Sequence, residues 1–397
     1  WQFLQRVTEG IEGAFSGLEE AISERFLPAL LGDKLPEDTR HIMGLPVKDA
    51  GIAIPDPSEV ATENWINSTV ICGHLISAIR KTEEFNPACH ATIMQAGKVE
   101  SSARFLVNSE RKLSLLQRKL SSEMNRKINR ARKTGAWLSV LPSTVAGTDL
   151  SAQEFRDALC MRYGRTPKDL PTHCDGCGSK FTMQHALQCK KGGLVIYRHD
   201  EVKNELAHLI MTAMSDSAIR DEPLIISGRS AKSPKAENTK EANDQSLNEQ
   251  RGDISARGFW SIGTECIVDV RVTDTDQASS IKRGRTPERE IEIQESEKKR
   301  KYLQACLDQR RHFTPYVVSV DGLIGREAEA FTKRLAAKLA LRWKKPYSQV
   351  CGFVKAKMSI AIVRATHLCL RGSRIPIQKV SRERHQWDDG AGLNLFR

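Results

Sequence analysis

Long apolar runs are missing from this 397-residue sequence, and none approaches the ~20 residues that a membrane-spanning helix needs. A secretory leader is missing too, and the first residue is Trp1 rather than Met, which indicates a piece of a longer polypeptide. The ten cysteines are too dispersed for a small secreted domain held together by disulfides. We therefore expect an intracellular protein that has no membrane segment.

The charge of the chain is unbalanced towards the basic side. It contains 61 Lys and Arg against 49 Asp and Glu, which gives a formal net charge of +12. A basic protein favours polyanionic partners such as nucleic acids over acidic or neutral ones. Apolar residues make up 40% of the chain, which is enough to build cores, and the length predicts two or three domains.

The N-terminal part has the periodicity of helices. Apolar residues at spacings of three and four predict one helix over residues 1–33 and another over residues 111–133. The second carries nine cations against the single acid Glu123, so its polar face is either solvated or contacts phosphates. The cations that we assign to a nucleic-acid contact are Arg118, Lys119, Arg126, Lys127, Arg130 and Lys133.

Three of the cysteines cluster with a histidine. With the spacing C-x2-C-x7-H-x3-C, the four residues are Cys174, Cys177, His185 and Cys189. Thiolate and imidazole are preferred ligands of Zn²⁺, and four protein ligands leave no position for water, so the spacing predicts a structural zinc site. The alternative is a C-x2-C redox pair. His173 and His199 are substitute ligands if one of the four is misassigned.

Residues 266–272 alternate as a half-buried strand does. The valines at 268, 270 and 272 would line one face, and Asp269 and Arg271 the other. Asp253 stands sixteen positions before Asp269 and could reach the same place from a neighbouring strand. Two convergent carboxylates suit Mg²⁺, which can activate water and neutralise charge on a phosphodiester. The alternative is a surface ion pair between Asp269 and Arg271.

Residues 287–311 have a helical pattern with an acidic first half and a basic second half, as the helix dipole favours. Lys298, Lys301 and Tyr302 lie three and four positions apart, so they can face one direction. A lysine beside a metal-binding carboxylate can orient water or stabilise a reacting phosphate. Arg271 could serve the phosphate but not act as a base. The alternative for this basic run is a solvated or nuclear-localisation-like segment.

A series of motifs runs in order from residue 137. They are WLSVLP (137–142), LSAQEFRDALCMRYG (150–164), the cysteine–histidine cluster ending in HALQCKKGG (185–193), RHD (198–200), RGDISARGFW (251–260), DVRV (269–272), KKRKY (298–302), FTPYVVS (313–319), KRLAAKLA (333–340), PYSQ (346–349) and CLRGSR (369–374). This series resembles the C-terminal region of non-LTR retrotransposon polyproteins, where a zinc knuckle and a restriction-like endonuclease of the PD-(D/E)XK class follow a reverse transcriptase.

The resemblance implies roles for particular residues. Asp253 and Asp269 would bind a catalytic Mg²⁺, and Lys298, Lys301 and Tyr302 would complete the active site. A further acid should join them, either Glu205 or Glu222, of which we favour Glu222. The implied partners are target DNA, the element's RNA and an upstream reverse-transcriptase palm, and the implied compartment is the nucleus. Nicking of one DNA strand would expose a 3′-hydroxyl that primes reverse transcription.

The sequence departs from the family pattern at three points. Gly252 stands where the family has a proline before the first aspartate, and Arg271 stands where (D/E)xK has its lysine. No Tyr-x-Asp-Asp polymerase motif is present, so this chain cannot copy nucleic acid alone. The alternative function is a catalytically degenerate, zinc-containing nucleic-acid-binding module without enzyme activity.

The fold class that we expect is α+β and multidomain. A helical region (1–164) that resembles the segment after a reverse-transcriptase palm would precede a zinc module (165–200). An α/β restriction-endonuclease-like domain (201–375) with a small mixed sheet would follow. Within and after that domain we expect a flexible insert (227–250) and a tail (376–397). The predicted strands are 223–227, 253–256, 266–272 and 316–320, and the predicted helices are 287–311, 326–343 and 349–370.

Overall fold

The computed structural model describes residues 1–82, 84–214, 218–226 and 250–375. The predicted insert, apart from Gln250, and the predicted tail therefore lie outside the described residues. The chain divides into an N-terminal unit, residues 1–138 and 159–168, and a C-terminal unit, residues 139–158 and 169 onwards. Residues 169–200 of the predicted zinc module fall inside the C-terminal unit, whereas its first four residues, 165–168, belong to the N-terminal unit. Across the described ranges, no helix has both the length and the apolar character needed to cross a bilayer.

The N-terminal unit is helical. Its α-helices are α1 (Gln2–Val7), α2 (Ser16–Ala21), α3 (Leu27–Leu31), α4 (Glu37–Gly44), α5 (Pro57–Ile79), α6 (Pro87–Gln117) and α7 (Ser122–Ala131). The two long helices, α5 and α6, each begin with a proline, preceded by Asp56 and Asn86 respectively. Both capping side chains accept hydrogen bonds from the first free backbone N–H groups, which is why these helices start where they do.

Both long helices predicted in this region are interrupted. The prediction of one helix over residues 1–33 is wrong, because α1, α2 and α3 are separated there by short 3₁₀ and π segments. Gly10, with φ of +67°, interrupts the helical path after α1. The prediction of one helix over 111–133 is also wrong. The Asn125 amide donates to the carbonyl groups of Gln117 and Leu120 (2.8 and 3.2 Å), and Ser121 caps α7, so the chain turns between α6 and α7.

The cations assigned to a nucleic-acid contact consequently do not share one helical face. Arg118 and Lys119 lie in the turn between α6 and α7. Arg130 is 7% exposed and is therefore part of the interior of the unit. Lys127 Nζ lies 2.7 Å from Glu123 Oε1. The two others, on α7 and just after it, are Arg126 and Lys133. Nucleic-acid contact by these residues stays a prediction.

The C-terminal unit is mixed α/β. Its helices are α8 (Ala152–Arg162, of which 159–162 fall in the other unit), α9 (Met183–Gln188), α10 (Leu194–Ala213), α11 (Ala278–Lys282), α12 (Pro287–Asp308), α13 (Arg326–Trp343) and α14 (Tyr347–Arg371). The strands are β1 (Ile219–Asp221), β2 (Leu224–Ile226), β3 (Gln250–Arg251), β4 (Ile254–Arg257), β5 (Glu265–Thr273) and β6 (His312–Ser319).

The sheet confirms the predicted small mixed sheet. Its order is β1-β4-β5-β6, with β1, β4 and β5 antiparallel and β6 parallel to β5, while β2 and β3 form a separate pair. A parallel pair needs a crossover connection, and α12 provides it between β5 and β6. The predicted helices 287–311, 326–343 and 349–370 correspond to α12, α13 and α14.

The two faces of β5 pack against different helices, so the prediction of a half-buried strand is wrong: residues 266–270 are buried on both faces. Val268 and Val270 belong to the main core, which α10, α13 and α14 complete with Leu206, Phe331 and Val354. On the opposite face, a smaller cluster contains Ile225, Ile267, Tyr302, Cys306 and Phe313, with α12 as its helix. The sheet therefore lies between two helical layers.

A buried ion-pair network joins α8 to α14. The guanidinium of Arg371 donates to both carboxylate oxygens of Asp157 at 2.8 and 2.9 Å, and His367 Nδ1 lies 2.9 Å from Oδ2. Asp157 is 2% exposed. Burial alone would raise the pKa of this carboxyl group, but the hydrogen bonds and charge of Arg371 and His367 lower it below its ordinary value.

We expect Asp157→Asn to lower the free energy of unfolding by about 3 kcal/mol near pH 6, because it leaves Arg371, whose side chain is only 16% exposed, without its counter-charge. A lowered folded pKa stabilises the fold above the unfolded pKa of about 3.9, and this contribution disappears as the pH falls through the folded pKa. The difference from wild type should therefore shrink below about pH 4. Urea denaturation across pH measures both.

The matched control is Asp149→Asn. Asp149 pairs with Arg364 at 3.2 Å, and the two side chains are 45% and 34% exposed, so water screens this pair far more than the pair of Asp157 with Arg371. We expect a change below about 1 kcal/mol for this variant. An equal loss of stability in the two variants would contradict the assignment of a special role to the buried pair.

Candidate functional site

The four predicted zinc ligands lie together in the structure. The ligand atoms of Cys174, Cys177, His185 and Cys189 are all within 4.8 Å of one another. Two Sγ–Sγ distances are 3.9 Å, and Cys177 Sγ lies 3.4 Å from His185 Nε2. In the described ranges no other group of three or more His, Cys, Asp or Glu side chains meets this criterion.

Local backbone structure arranges these ligands. Residues 172–181 form a small hairpin in which the Phe181 N–H donates to the Thr172 carbonyl, and Gly178 takes the left-handed conformation with φ of +73°. The Thr182 hydroxyl caps α9 by accepting from the His185 N–H. Cys189 follows α9 directly, so the predicted helical spacing places it beside His185.

The cluster fits a tetrahedral Zn²⁺ ion. Bonds of ~2.3 Å to sulfur and ~2.0 Å to nitrogen give tetrahedral edges of about 3.8 Å for two sulfurs and about 3.5 Å for sulfur and nitrogen. The two Sγ–Sγ distances of 3.9 Å and the Sγ–Nε2 distance of 3.4 Å lie close to these values. Hydrogen bonds from the Ser179 side chain and backbone lower the pKa of Cys177 to about 6, which favours the thiolate that zinc requires. Burial raises the pKa of Cys189.

The residues after α14 contact the hairpin of residues 172–181, which we name the zinc hairpin. Arg374 is 2% exposed, its Nη2 donates to the carbonyl groups of Ala186 and Cys369, and its backbone N–H donates to Asp175. Gly192 passes so close that a Cβ there would lie 2.3 Å from the Cα of Arg374. The CLRGSR segment therefore anchors the zinc hairpin to the α/β core.

A second candidate site lies at the sheet. A cleft of about 230 Å³ is lined by Val195, His199, Asp253, Asp269, Val270, Arg271, Val272 and Lys298. These residues come from α10, the position directly before β4, the second half of β5 and α12. The structure thus brings together the two predicted carboxylates, Asp253 and Asp269, with the predicted cations Arg271 and Lys298.

The register between β4 and β5 positions the two carboxylates. Ile254 pairs with Val268, and the Asp253 N–H donates to the Val268 carbonyl at 3.0 Å. The Asp253 side chain then turns towards β5, where its Oδ2 accepts the Val270 N–H at 2.5 Å. Asp269 lies between these two contacts along β5, so both carboxylates border the same cleft.

The cleft carries opposing charges at short range. Lys298 Nζ lies 2.6 Å from Asp269 Oδ2, and Asp269 is 4% exposed. Burial raises the pKa of Asp269; the positive charge of Lys298 opposes that rise and the negative charge of Asp253 adds to it. Burial alone would lower the pKa of His199, but its contacts with Asp253 and then Asp200 raise it to about 9.

Four other predicted or candidate residues do not line the cleft. Lys301 is exposed, with its Nζ 4.7 Å from the centre of the Tyr302 ring, and Tyr302 itself is buried in the apolar cluster under α12. Glu222 is exposed in the turn between β1 and β2, where its N–H donates to the Asp253 carbonyl. Glu205 pairs with Lys357 at 3.3 Å. Catalytic roles for Lys301, Tyr302 and Glu222 stay predictions.

His199 lines the cleft, a position that was not predicted from the sequence. His199 Nε2 lies 3.2 Å from Asp253 Oδ2, although the sequence suggested it only as a substitute zinc ligand. The four predicted zinc ligands lie together without it. The RHD segment, with a histidine one turn after Val195 at the start of an amphipathic helix, is the signal from which this position could have been found.

Comparison with known proteins does not assign the chain to a family. No protein-family model matches the chain, and a search of curated proteins found no match either.

We expect the purified protein to contain one Zn²⁺ per chain and to lose it in Cys189→Ser, because three ligands no longer close the tetrahedron. The Tm should fall by roughly 10 °C, since each kcal/mol lost shifts the Tm by about 2–4 °C in a domain of this size. Elemental analysis and a thermal melt measure the two effects.

The matched control is Cys89→Ser, which removes an exposed thiol on α6 and should retain the metal. Metal-free wild-type protein in which Cys174 and Cys177 form a disulfide would support the redox alternative and contradict the zinc assignment.

Proposed function

We propose that the C-terminal unit is a metal-dependent DNA endonuclease domain of a retroelement protein, which nicks target DNA to prime reverse transcription. The observation that carries the proposal is the cleft in which Asp253 and Asp269 meet Arg271 and Lys298. A mixed sheet between helical layers, with acidic residues on adjacent strands, is also what a PD-(D/E)XK-like fold requires.

The residues of the cleft fit Mg²⁺. Carboxylate oxygens are the ligands that this hard cation prefers, and Asp253 and Asp269 offer them from two adjacent strands. Asp269 is buried, and Lys298 is the cation beside it, so a divalent ion would meet an environment that already favours positive charge. When bound, Mg²⁺ would supply an activated water and neutralise charge on the scissile phosphate.

The two cations have separable roles in this proposal. Lys298, once released from Asp269, can orient the attacking water or donate to the phosphate in the transition state. A guanidinium has only N–H donors, so Arg271 can hold a phosphate oxygen but not accept a proton. Together they provide positive charge on the wall of the cleft where a DNA backbone would lie.

The retroelement assignment is supported by the order of the motifs and by the zinc cluster. Cys189, the last zinc ligand, is separated by four residues from the start of α10, the helix that carries His199 to the cleft. Arg374 of the CLRGSR motif joins both the zinc hairpin and α9 to α14. Target DNA and element RNA as partners, an upstream reverse transcriptase and a nuclear location belong to this same proposal.

The second candidate function is nucleic-acid binding without catalysis. It is favoured by the departures from the family pattern, with Gly252 in the place of proline and Arg271 in the place of lysine. The close pairing of Lys298 with Asp269 also neutralises a carboxylate that the endonuclease hypothesis assigns as a metal ligand. Under this hypothesis the zinc cluster and the cations of residues 111–133 bind nucleic acid, and the cleft has no catalytic activity.

We expect the protein to nick supercoiled plasmid DNA in the presence of Mg²⁺. Asp253→Asn and Asp269→Asn should each reduce the nicking rate by about 100-fold or more, because each removes a charged oxygen ligand. Gel analysis of plasmid forms measures the rate, and EDTA should abolish it.

Asp308→Asn is the control, since Asp308 is an exposed residue near the end of α12 and away from the cleft. Nicking that persists unchanged in both cleft variants would refute the site. Salt-dependent DNA binding by wild type without any nicking in Mg²⁺ or Mn²⁺ would establish the binding-only function instead.

A further inference from the structure

We propose that His199 is a positioning residue, which fixes Asp253 so that the other oxygen of its carboxylate is presented to the metal. The inference rests on the proposed function, because it assumes that Asp253 is a metal ligand. It concerns a residue to which the sequence motifs assign no role in the nuclease site.

The contacts of Asp253 divide between its two oxygens. Oδ2 accepts the Val270 N–H at 2.5 Å and lies 3.2 Å from His199 Nε2. Within the described residues, Oδ1 has no hydrogen-bond partner. One oxygen is thus held by a rigid backbone donor and a side-chain donor from another element, which leaves Oδ1 as the free ligand at the cleft. Hydrogen-bonded ligands of this kind are typical of metal sites, because the bond fixes their orientation.

The orientation of His199 is itself fixed. Its second nitrogen, Nδ1, lies 3.2 Å from Asp200 Oδ1, so both ring nitrogens face carboxylates. One and two turns further along α10, Val202 and Leu206 are fully buried in the main core. The helix therefore cannot rotate without exposing its apolar face, and the imidazole remains directed at Asp253.

Two other roles fit these contacts less well. As a zinc ligand His199 is not needed, because the zinc cluster has four ligands of its own. As a general base it would need a nitrogen free to accept a proton from water, whereas both nitrogens contact carboxylates, which are acceptors. A histidine that donates one hydrogen bond to Asp200 and another to Asp253 is consistent with both contacts.

The test is direct binding of Mn²⁺, a spectroscopic substitute for Mg²⁺, to the full-length zinc-loaded protein. The thiolate-rich zinc cluster, already filled, does not compete for this harder ion. Electron paramagnetic resonance of free Mn²⁺ gives the Kd for wild type, His199→Leu, His199→Gln, Asp253→Asn and Asp269→Asn. A thermal melt of each variant reports its stability separately.

We expect His199→Leu to weaken Mn²⁺ binding by about 10- to 100-fold, the range for losing a residue that orients a ligand. His199→Gln keeps an N–H donor near the Nε2 position but cannot act as a base, so it should restore the Kd to within about threefold of wild type. Wild-type affinity in His199→Leu, or failure of His199→Gln to restore it, would overturn the inference.

The same titration separates the two proposals. If Asp253→Asn and Asp269→Asn bind Mn²⁺ as wild type does, the proposed metal site itself is absent. If those two variants lose binding while His199→Leu retains it, the nuclease site stands and only the positioning role of His199 fails.

Discussion

The pairing of β4 with β5 is the constraint on which the cleft depends. Because Ile254 lies opposite Val268, Asp253 falls at the position where its backbone and side chain both bond to β5. A shift of one residue in this register would turn Asp269 into the main core and would bury a charge among aliphatic side chains. The apolar packing of β5 on both faces therefore fixes the placement of the acidic residues.

Apolar packing of the helices against the sheet also positions the remaining side chains of the cleft. Tyr302 and Cys306 pack against Ile267, which holds α12 on the face of β5 that also carries Asp269, and Lys298 lies one turn before Tyr302. Tyr302 thus acts through packing in this structure. On the other side of the cleft, α10 follows the zinc cluster, and the burial of Arg374 ties that cluster to the core.

Much of this arrangement could be predicted from the sequence, because it depends on short-range patterns of residue spacing. The alternation in β5, the helical pattern of α12 and the ligand spacing of the zinc cluster each depend on residues close together in the chain. The contact between His199 and Asp253 joins residues that are 54 positions apart and depends on how α10 packs, which periodicity does not specify. The break after α6 was missed for another reason, since the apolar stripe continues through it and hides the Ser121 cap.

The most direct test of the proposed metal site is an anomalous diffraction experiment on crystals soaked in Mn²⁺. We predict an anomalous peak between the carboxylates of Asp253 and Asp269, at ~2.0–2.6 Å from an oxygen of each, with the Lys298 ammonium displaced from Asp269. A map with no peak in the cleft, and with Lys298 still paired to Asp269 at saturating Mn²⁺, would contradict it.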